Sequence, residues 1–247
     1  MRITFIGTSH GVPAADRYCS CIMLEVNGAI YFIDGGAPMI DGLLRHGKDV
    51  NAVRAVFTTH SHGDHTNGIT HMADLMNWYY KESAADFYFT EKPLLEAVEN
   101  LILACDSRIP IDKKRIRFKV TDPISGYEDE NIKVSYIPTK HMPDGHPSYS
   151  VLVRAEGKSV LFSGDFSQSL AKRDVPTIIS EEPLDLFVYE MAHFGIEHIS
   201  PYLDTCKAKR VAFTHVHPTG KYEDIEGLRG KYGFELFTPK DNDDICL

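Results

Sequence analysis

Three imidazoles and a carboxylate fall within six residues at His60-Ser61-His62-Gly63-Asp64-His65, directly after the apolar run Val53-Arg54-Ala55-Val56-Phe57. Imidazole nitrogen with carboxylate oxygen is the donor set that Zn²⁺ prefers when a site must stay reactive. Alternation predicts His60, His62 and Asp64 on one side of an extended turn, with His65 beginning a helix and aiming elsewhere. One short loop would then serve two adjacent metal positions. Three further ligand-type residues stand just past strand-like runs: His141 after 132–137, Asp165 after 158–163 and His215 after 210–214. A lone histidine at a strand end is more often a packed or solvent-facing residue. Four strand-end loops that each offer ligands point instead to a shared metal set.

The elements that must position these groups follow from periodicity and turn residues. Strands are predicted near 2–6, 21–26 and 30–34, the last two joined by the hairpin turn Asn27-Gly28, and then at 53–58, 132–137, 148–154, 158–163, 185–190 and 210–214. Helices are predicted near 38–46, 65–80, 91–105, 199–208 and 222–231. Strand-rich blocks with helices in each half predict two sheets packed face to face with helices outside, an α/β (α+β), four-layer αββα sandwich. Strand-end loops would converge at one edge of it, a natural place for a site. No Ser/Gly/Pro-rich linker divides the chain, so residues 1–247 are expected to form a single domain.

The His60-x-His62-x-Asp64-His65 pattern after an apolar strand, together with Thr4-Phe5-Ile6-Gly7-Thr8 and Ile33-Asp34-Gly35-Gly36, resembles the metallo-β-lactamase superfamily, especially its RNase Z and phosphodiesterase-like branch. The resemblance spans nearly the whole chain and implies the metallo-β-lactamase fold. It also implies a dinuclear centre: His60, His62 and His141 would hold one zinc, Asp64, His65 and His215 the second, and Asp165 would bridge them, with Mn²⁺ or Fe²⁺ as other occupants. Cations sharing a water lower its pKa toward about 7, giving a bridging hydroxide that attacks phosphorus or a carbonyl carbon and that Asp64 can orient. Tyr189-Glu190-Met191-Ala192-His193 stands where that branch carries a Glu-containing motif, so Glu190 fits the glutamate that pairs with a downstream histidine near the scissile bond. His193 and His198 compete for that histidine's role as general acid, and spacing to His215 favours His193. Asp34 resembles the superfamily's early aspartate, which supports the histidine loop from behind. His10 lies on a loop that should approach the site, His146 is expected at the pocket rim, and His217 fits either a substrate contact or a turn before Pro218. His46 and His71 lack a partner pattern and are expected to be surface or packing residues.

Composition narrows the function. Thirty-five acidic against 26 basic residues give a formal charge of −9, which argues against a broad nucleic-acid face but not against a small anionic substrate held at metals. The five cysteines are an odd number and give no support for a disulfide framework; Cys19 and Cys21 read as ordinary residues at the start of a strand in preference to a structural zinc site. No run approaches the roughly 20 apolar residues of a membrane span, and cytoplasmic residence is expected. Short intervals from His141 to Asp165 and from Asp165 to His215 leave no room for the long basic arm with which tRNA 3′-processing enzymes clamp their substrate. The sequence therefore reads as a dinuclear zinc hydrolase acting on a small or cyclic phosphodiester. An RNase Z-like tRNA endonuclease, a lactone, thioester or other carbonyl-ester hydrolase, and a di-iron redox enzyme are the alternatives, and a homodimer is left open.

Overall fold

Each sheet of the protein is buried on both faces, which is why its strands read as nearly continuous apolar runs. The structure is a computed structural model that describes residues 1–12, 14–105, 109–169 and 174–247. The first sheet is built from β1 (Arg2–Gly7), β2 (Cys21–Val26), β3 (Ala29–Ile33), β4 (Val53–Phe57), β5 (Ala85–Phe89) and β6 (Ile116–Val120), with β14 (Asp244–Cys246) returning to pair with β1. The second contains β7 (Tyr127–Glu128), β8 (Lys133–Thr139), β9 (Ser148–Ala155), β10 (Lys158–Phe162), β11 (Leu186–Glu190), β12 (Arg210–Thr214) and β13 (Glu235–Phe237). Each is a mixed seven-stranded sheet. β3 to β6 run parallel in one and β10 to β13 in the other, while β1–β2–β3 and β7 to β10 are antiparallel.

Inner faces meet in one apolar layer, where Phe5, Leu24, Ile33 and Phe57 pack against Val151, Val153, Phe162 and Val188. The outer face of the first sheet is covered by α1 (Met39–Arg45), α2 (Gly63–Trp78) and α3 (Lys92–Cys105), with Ile69, Met72 and Met76 of α2 fully buried. The other outer face is covered by α4 (Ile178–Glu181), α5 (Ile196–Leu203) and α6 (Lys221–Glu226). The αββα expectation therefore holds. Among the described residues, no helix is long and apolar enough to cross a membrane.

Several local expectations are corrected. The histidine loop is not extended through Asp64: α2 starts at Gly63, so Asp64 and His65 both lie in its first turn while His62 caps it with extended backbone. Asp64 consequently faces with His65 rather than with His60 and His62. The helix predicted at 199–208 runs Ile196–Leu203, because the His198 ring accepts the Gly195 N–H at its start and Lys207 and Lys209 are drawn to the Ile179 and Leu184 carbonyls after its end. The helix predicted at 222–231 stops at Glu226, followed by Gly227.

Close backbone contact seats α2. Gly35 N–H donates to the His65 carbonyl and Gly68 N–H to the Gly35 carbonyl, both at 2.7 Å. A Cβ at Gly36 would fall 1.7 Å from the Asp64 carbonyl oxygen and one at Gly68 2.0 Å from that of Ala37, so glycine is required for this approach.

Candidate metal centre

The ligand-type residues gather at the carboxyl ends of strands that run in the same direction within each sheet, where open α/β sheets leave a crevice. Asp34 follows β3, His60 to His65 follow β4, His141 follows β8, Asp165 follows β10, Glu190 ends β11 and His215 follows β12. Asp34 and His215 hold left-handed backbone, φ 59° and 54°, which turns each side chain inward at a cost that concentrates at functional sites. Two backbone bonds tie the sheets here, from Tyr149 N–H to the Thr59 carbonyl and from His215 N–H to the Thr8 carbonyl, both 2.9 Å.

The donors form two triads around one carboxylate. His62 Nδ1 lies 3.1 Å from both His60 Nε2 and His141 Nε2. Nitrogens bound tetrahedrally to one zinc at about 2.0–2.1 Å would stand about 3.3 Å apart, so this spacing suits a cation between them. Asp64 Oδ2 lies 3.5 Å from His65 Nε2 and 3.7 Å from His215 Nε2. Asp165 reaches both triads: Oδ2 is 3.8 Å from His60, 3.7 Å from His141 and 3.3 Å from His215, and Oδ1 is 3.6 Å from His65. His65 Nε2, His215 Nε2 and Asp165 Oδ1 are buried without a hydrogen-bond partner. Buried polar atoms in that state call for an occupant, and three aimed at one another fit a cation.

The opposite ring nitrogens are already engaged, which fixes how the imidazoles point. His65 Nδ1 pairs with Asp34 Oδ2 at 2.7 Å, His215 Nδ1 with Ser20 Oγ at 2.9 Å, His60 Nδ1 with Thr59 Oγ1 at 3.0 Å and His141 Nδ1 with the Phe166 carbonyl at 3.1 Å. Asp34 also accepts the Thr59 N–H at 2.7 Å. Sequence reasoning singled out Asp34 but missed Ser20, Thr59 and the Phe166 carbonyl. Thr59 adjoins the histidine run; the other two carry no signal, because only the fold brings them near. The Asp34→Asn variant should weaken metal affinity 10–100-fold while keeping the fold, read by competition with a chromogenic chelator and by circular dichroism. Unchanged affinity would remove the orienting role.

Electrostatics match the geometry. Burial, reinforced by His65, holds His60 well below the ordinary histidine pKa, and burial also lowers His141, so both offer neutral lone pairs. Burial alone would raise Asp165, yet His215 and His65 hold its carboxyl well below the usual range. Asp64 is likewise depressed against its burial, by His65 and His215.

Glu190 and His193 lie beside this cluster. His193 Nδ1 is 2.9 Å from Glu190 Oε1, whose carboxylate also accepts the N–H groups of Phe166, Ala192 and His193. Burial lowers the His193 pKa, but the hydrogen bond and charge of Glu190, with Asp165 adding, outweigh it and raise it overall. Lys221, which sequence reasoning also missed, donates to the Met191 and Ala192 carbonyls at 2.8 and 2.9 Å and pins this turn. His198 is elsewhere, capping α5 and 3.0 Å from Glu197. His146 pairs with Glu91 at 2.9 Å on the rim of an open space of about 840 Å³ lined by the 139–146 loop. A second space of about 940 Å³ opens beyond His217, lined by Val12, Arg17, Thr219 and Tyr222. His46 meets Asn242 at 3.3 Å and His71 is exposed, both away from the cluster. Cys21 is buried in the core and Cys19 half-buried, both as free thiols.

Fold and centre together define a metal-dependent hydrolase of the metallo-β-lactamase fold with a buried His/Asp metal site. Within that class the chain belongs to the family of the anti-Pycsar protein Apyc1, whose model it matches over residues 1–209. It is 28% identical over 174 residues to a ribonuclease Z of Prochlorococcus marinus strain MIT 9313, covering 69% of this chain and 54% of that one. The chain thus spans about half the length of the curated relatives it matches. Among solved structures, the metallo-β-lactamase fold protein YhfI of Bacillus subtilis superposes with a TM-score of 0.76 at 15% identity, over 99% of this chain and 98% of that one. The short form of human tRNase Z superposes with a TM-score of 0.75 at 18% identity, over 100% and 99%.

Proposed function

We propose that the protein is a di-zinc phosphodiesterase acting on a small, anionic phosphodiester, a cyclic nucleotide above all. The observation that carries this reading is the Glu190–His193 pair set against two donor triads that share Asp165. The match to the family model of the anti-Pycsar protein Apyc1 supports it. His60, His62 and His141 would hold one cation, Asp64, His65 and His215 the other, and Asp165 reaches both; this nitrogen-rich set favours zinc. Bound there, two divalent cations would supply a water ionised near neutral pH and positive charge to offset the developing negative charge on phosphorus.

The chain's own residues do the rest. Ionised Asp64 accepts a hydrogen bond from the attacking water and orients it. His193, its Nδ1–H donated to Glu190 Oε1, carries its second proton on Nε2 and passes it to the leaving oxygen. Glu190 favours the protonated ring. The open spaces lined by residues next in sequence to His215 and to His141 leave room for the ester substituents of a small substrate. An RNase Z-like reading is favoured by the ribonuclease Z matches. Against it, the short interval between Asp165 and His215 must also carry α4, β11, α5 and β12, which leaves little sequence for a long basic arm.

The purified, metal-analysed protein should turn over 3′,5′- or 2′,3′-cyclic nucleotides at least a hundredfold more efficiently than lactones, thioesters or a pre-tRNA. Faster cleavage of the pre-tRNA 3′ trailer would install the endonuclease reading in its place. Stoichiometric iron with oxygen-dependent turnover would remove both.

A further inference from the structure

We propose that His10 is a substrate-binding residue whose Nε2–H donates to a non-bridging oxygen of the phosphoryl group, with His217 as its positioning residue. This rests on the phosphodiester reading for its substrate, though not for its test. His10 Nδ1 accepts the Val12 N–H at 3.1 Å. A nitrogen that accepts carries no proton, so in the neutral ring the proton is on Nε2. Among the described residues Nε2 has no protein partner within hydrogen-bond distance.

The ring borders the opening of the centre. Its centroid lies 5.1 Å from that of His215 and 6.2 Å from that of His193. A Cβ at Gly11 would sit 2.9 Å from Asp64 Oδ2, so the His10 loop runs directly against the centre. The loop is braced from both ends. Ser9 N–H donates to the Tyr18 carbonyl at 2.7 Å, Ala14 N–H to Ser9 Oγ at 3.2 Å, and Asp241 takes the Thr8 N–H and hydroxyl at 2.9 and 2.8 Å. His217 then stacks on the ring, centroids 4.5 Å apart at 18°. A donor held on a fixed loop, with an aromatic face behind it, is pre-organised for an anion.

Two other roles fit less well. As a metal ligand His10 lacks company, since it belongs to none of the donor triads among the described residues. As a general acid it would need a second proton on Nδ1, which faces the Val12 N–H.

Binding of inorganic phosphate to the metal-loaded protein, measured by titration calorimetry, tests the assignment. His10→Phe keeps the ring and removes the donor; it should weaken phosphate at least about tenfold with metal content unchanged. His10→Gln, which restores an N–H, should recover most of the affinity. His217→Ala should weaken phosphate less, and His217→Phe should restore it, as a stacking role requires. In turnover, His10→Phe should lower kcat/KM for a cyclic nucleotide equally for good and poor leaving groups. Wild-type phosphate affinity in His10→Phe, metal loss in that variant, or no phosphate binding by the wild type would each overturn the proposal. If phosphate binding depends on His10 but the wild type hydrolyses no phosphodiester, the assignment stands and the reaction proposed above falls.

Discussion

The Asp165→Ala variant should lose metal and hydrolysis together, with kcat/KM down by about a thousandfold or more, the several kcal/mol of charge stabilisation that cations contribute. Asp165 faces four ligand imidazoles at 3.3–3.8 Å and is the carboxylate common to both triads. Removing it leaves His60, His62 and His141 with no carboxylate to offset a cation, and His65 and His215 with Asp64 alone. Asp165→Asn keeps the shape and should fail nearly as badly, which separates loss of charge from loss of packing. Plasma emission spectrometry of the desalted protein beside steady-state kinetics reads both effects. Two equivalents of metal with activity within tenfold of wild type would end the bridging role.

His193→Ala should behave differently. Metal content should stay at two, while hydrolysis of esters with poor, alkoxide-like leaving groups slows by about 10²–10⁴-fold. An aryl phosphodiester, whose leaving group needs no proton, should slow far less. The contrast between substrates is the decisive readout, because a packing defect would slow both alike. A rival role has a specific observation behind it: His193 Nδ1 is 3.9 Å from Asp165 Oδ2, and His141, Asp165 and His193 offer donor atoms within reach of one cation. Under that reading His193→Ala loses metal and shows no leaving-group dependence. Glu190→Gln should reproduce the His193 pattern more weakly, since it removes the charge that favours the protonated ring.

Much of this was legible before any coordinates. The strands that carry ligands are strongly apolar and end in turn residues, so β4, β8, β10 and β12 fell within a residue or two of expectation. What escaped lies where the signal is non-local. β6 (Ile116–Val120) alternates with charges, and Arg117 and Lys119 pair with Asp86 of β5 across the sheet, so the charges that hide both strands are the ones that join them. β14 is three residues long and takes its identity from β1, at the other end of the chain. At the site, ligand types announce themselves, but the atoms that aim them do not: Ser20 reaches His215 and Lys221 grips the Met191–Ala192 turn only once the two sheets are packed. Asp64 shows a subtler limit. Alternation misplaced it because the helix begins at Gly63, earlier than the sequence suggested.

The two triads are each divided between the sheets. His60 and His62 come from the loop after β4 and meet His141 after β8; Asp64 and His65 come from that same side and meet His215 after β12. Each cation would therefore be a cross-link, and the sandwich would open like a book clasped at its fore-edge, while the far end is held by hydrogen bonds such as Asn27 to Asn131 at 3.2 Å. Losing the clasp raises the frequency with which the leaves part, so native-state hydrogen exchange should quicken first in β4, β10 and β12. For this protein, resistance to proteolysis would report cation supply.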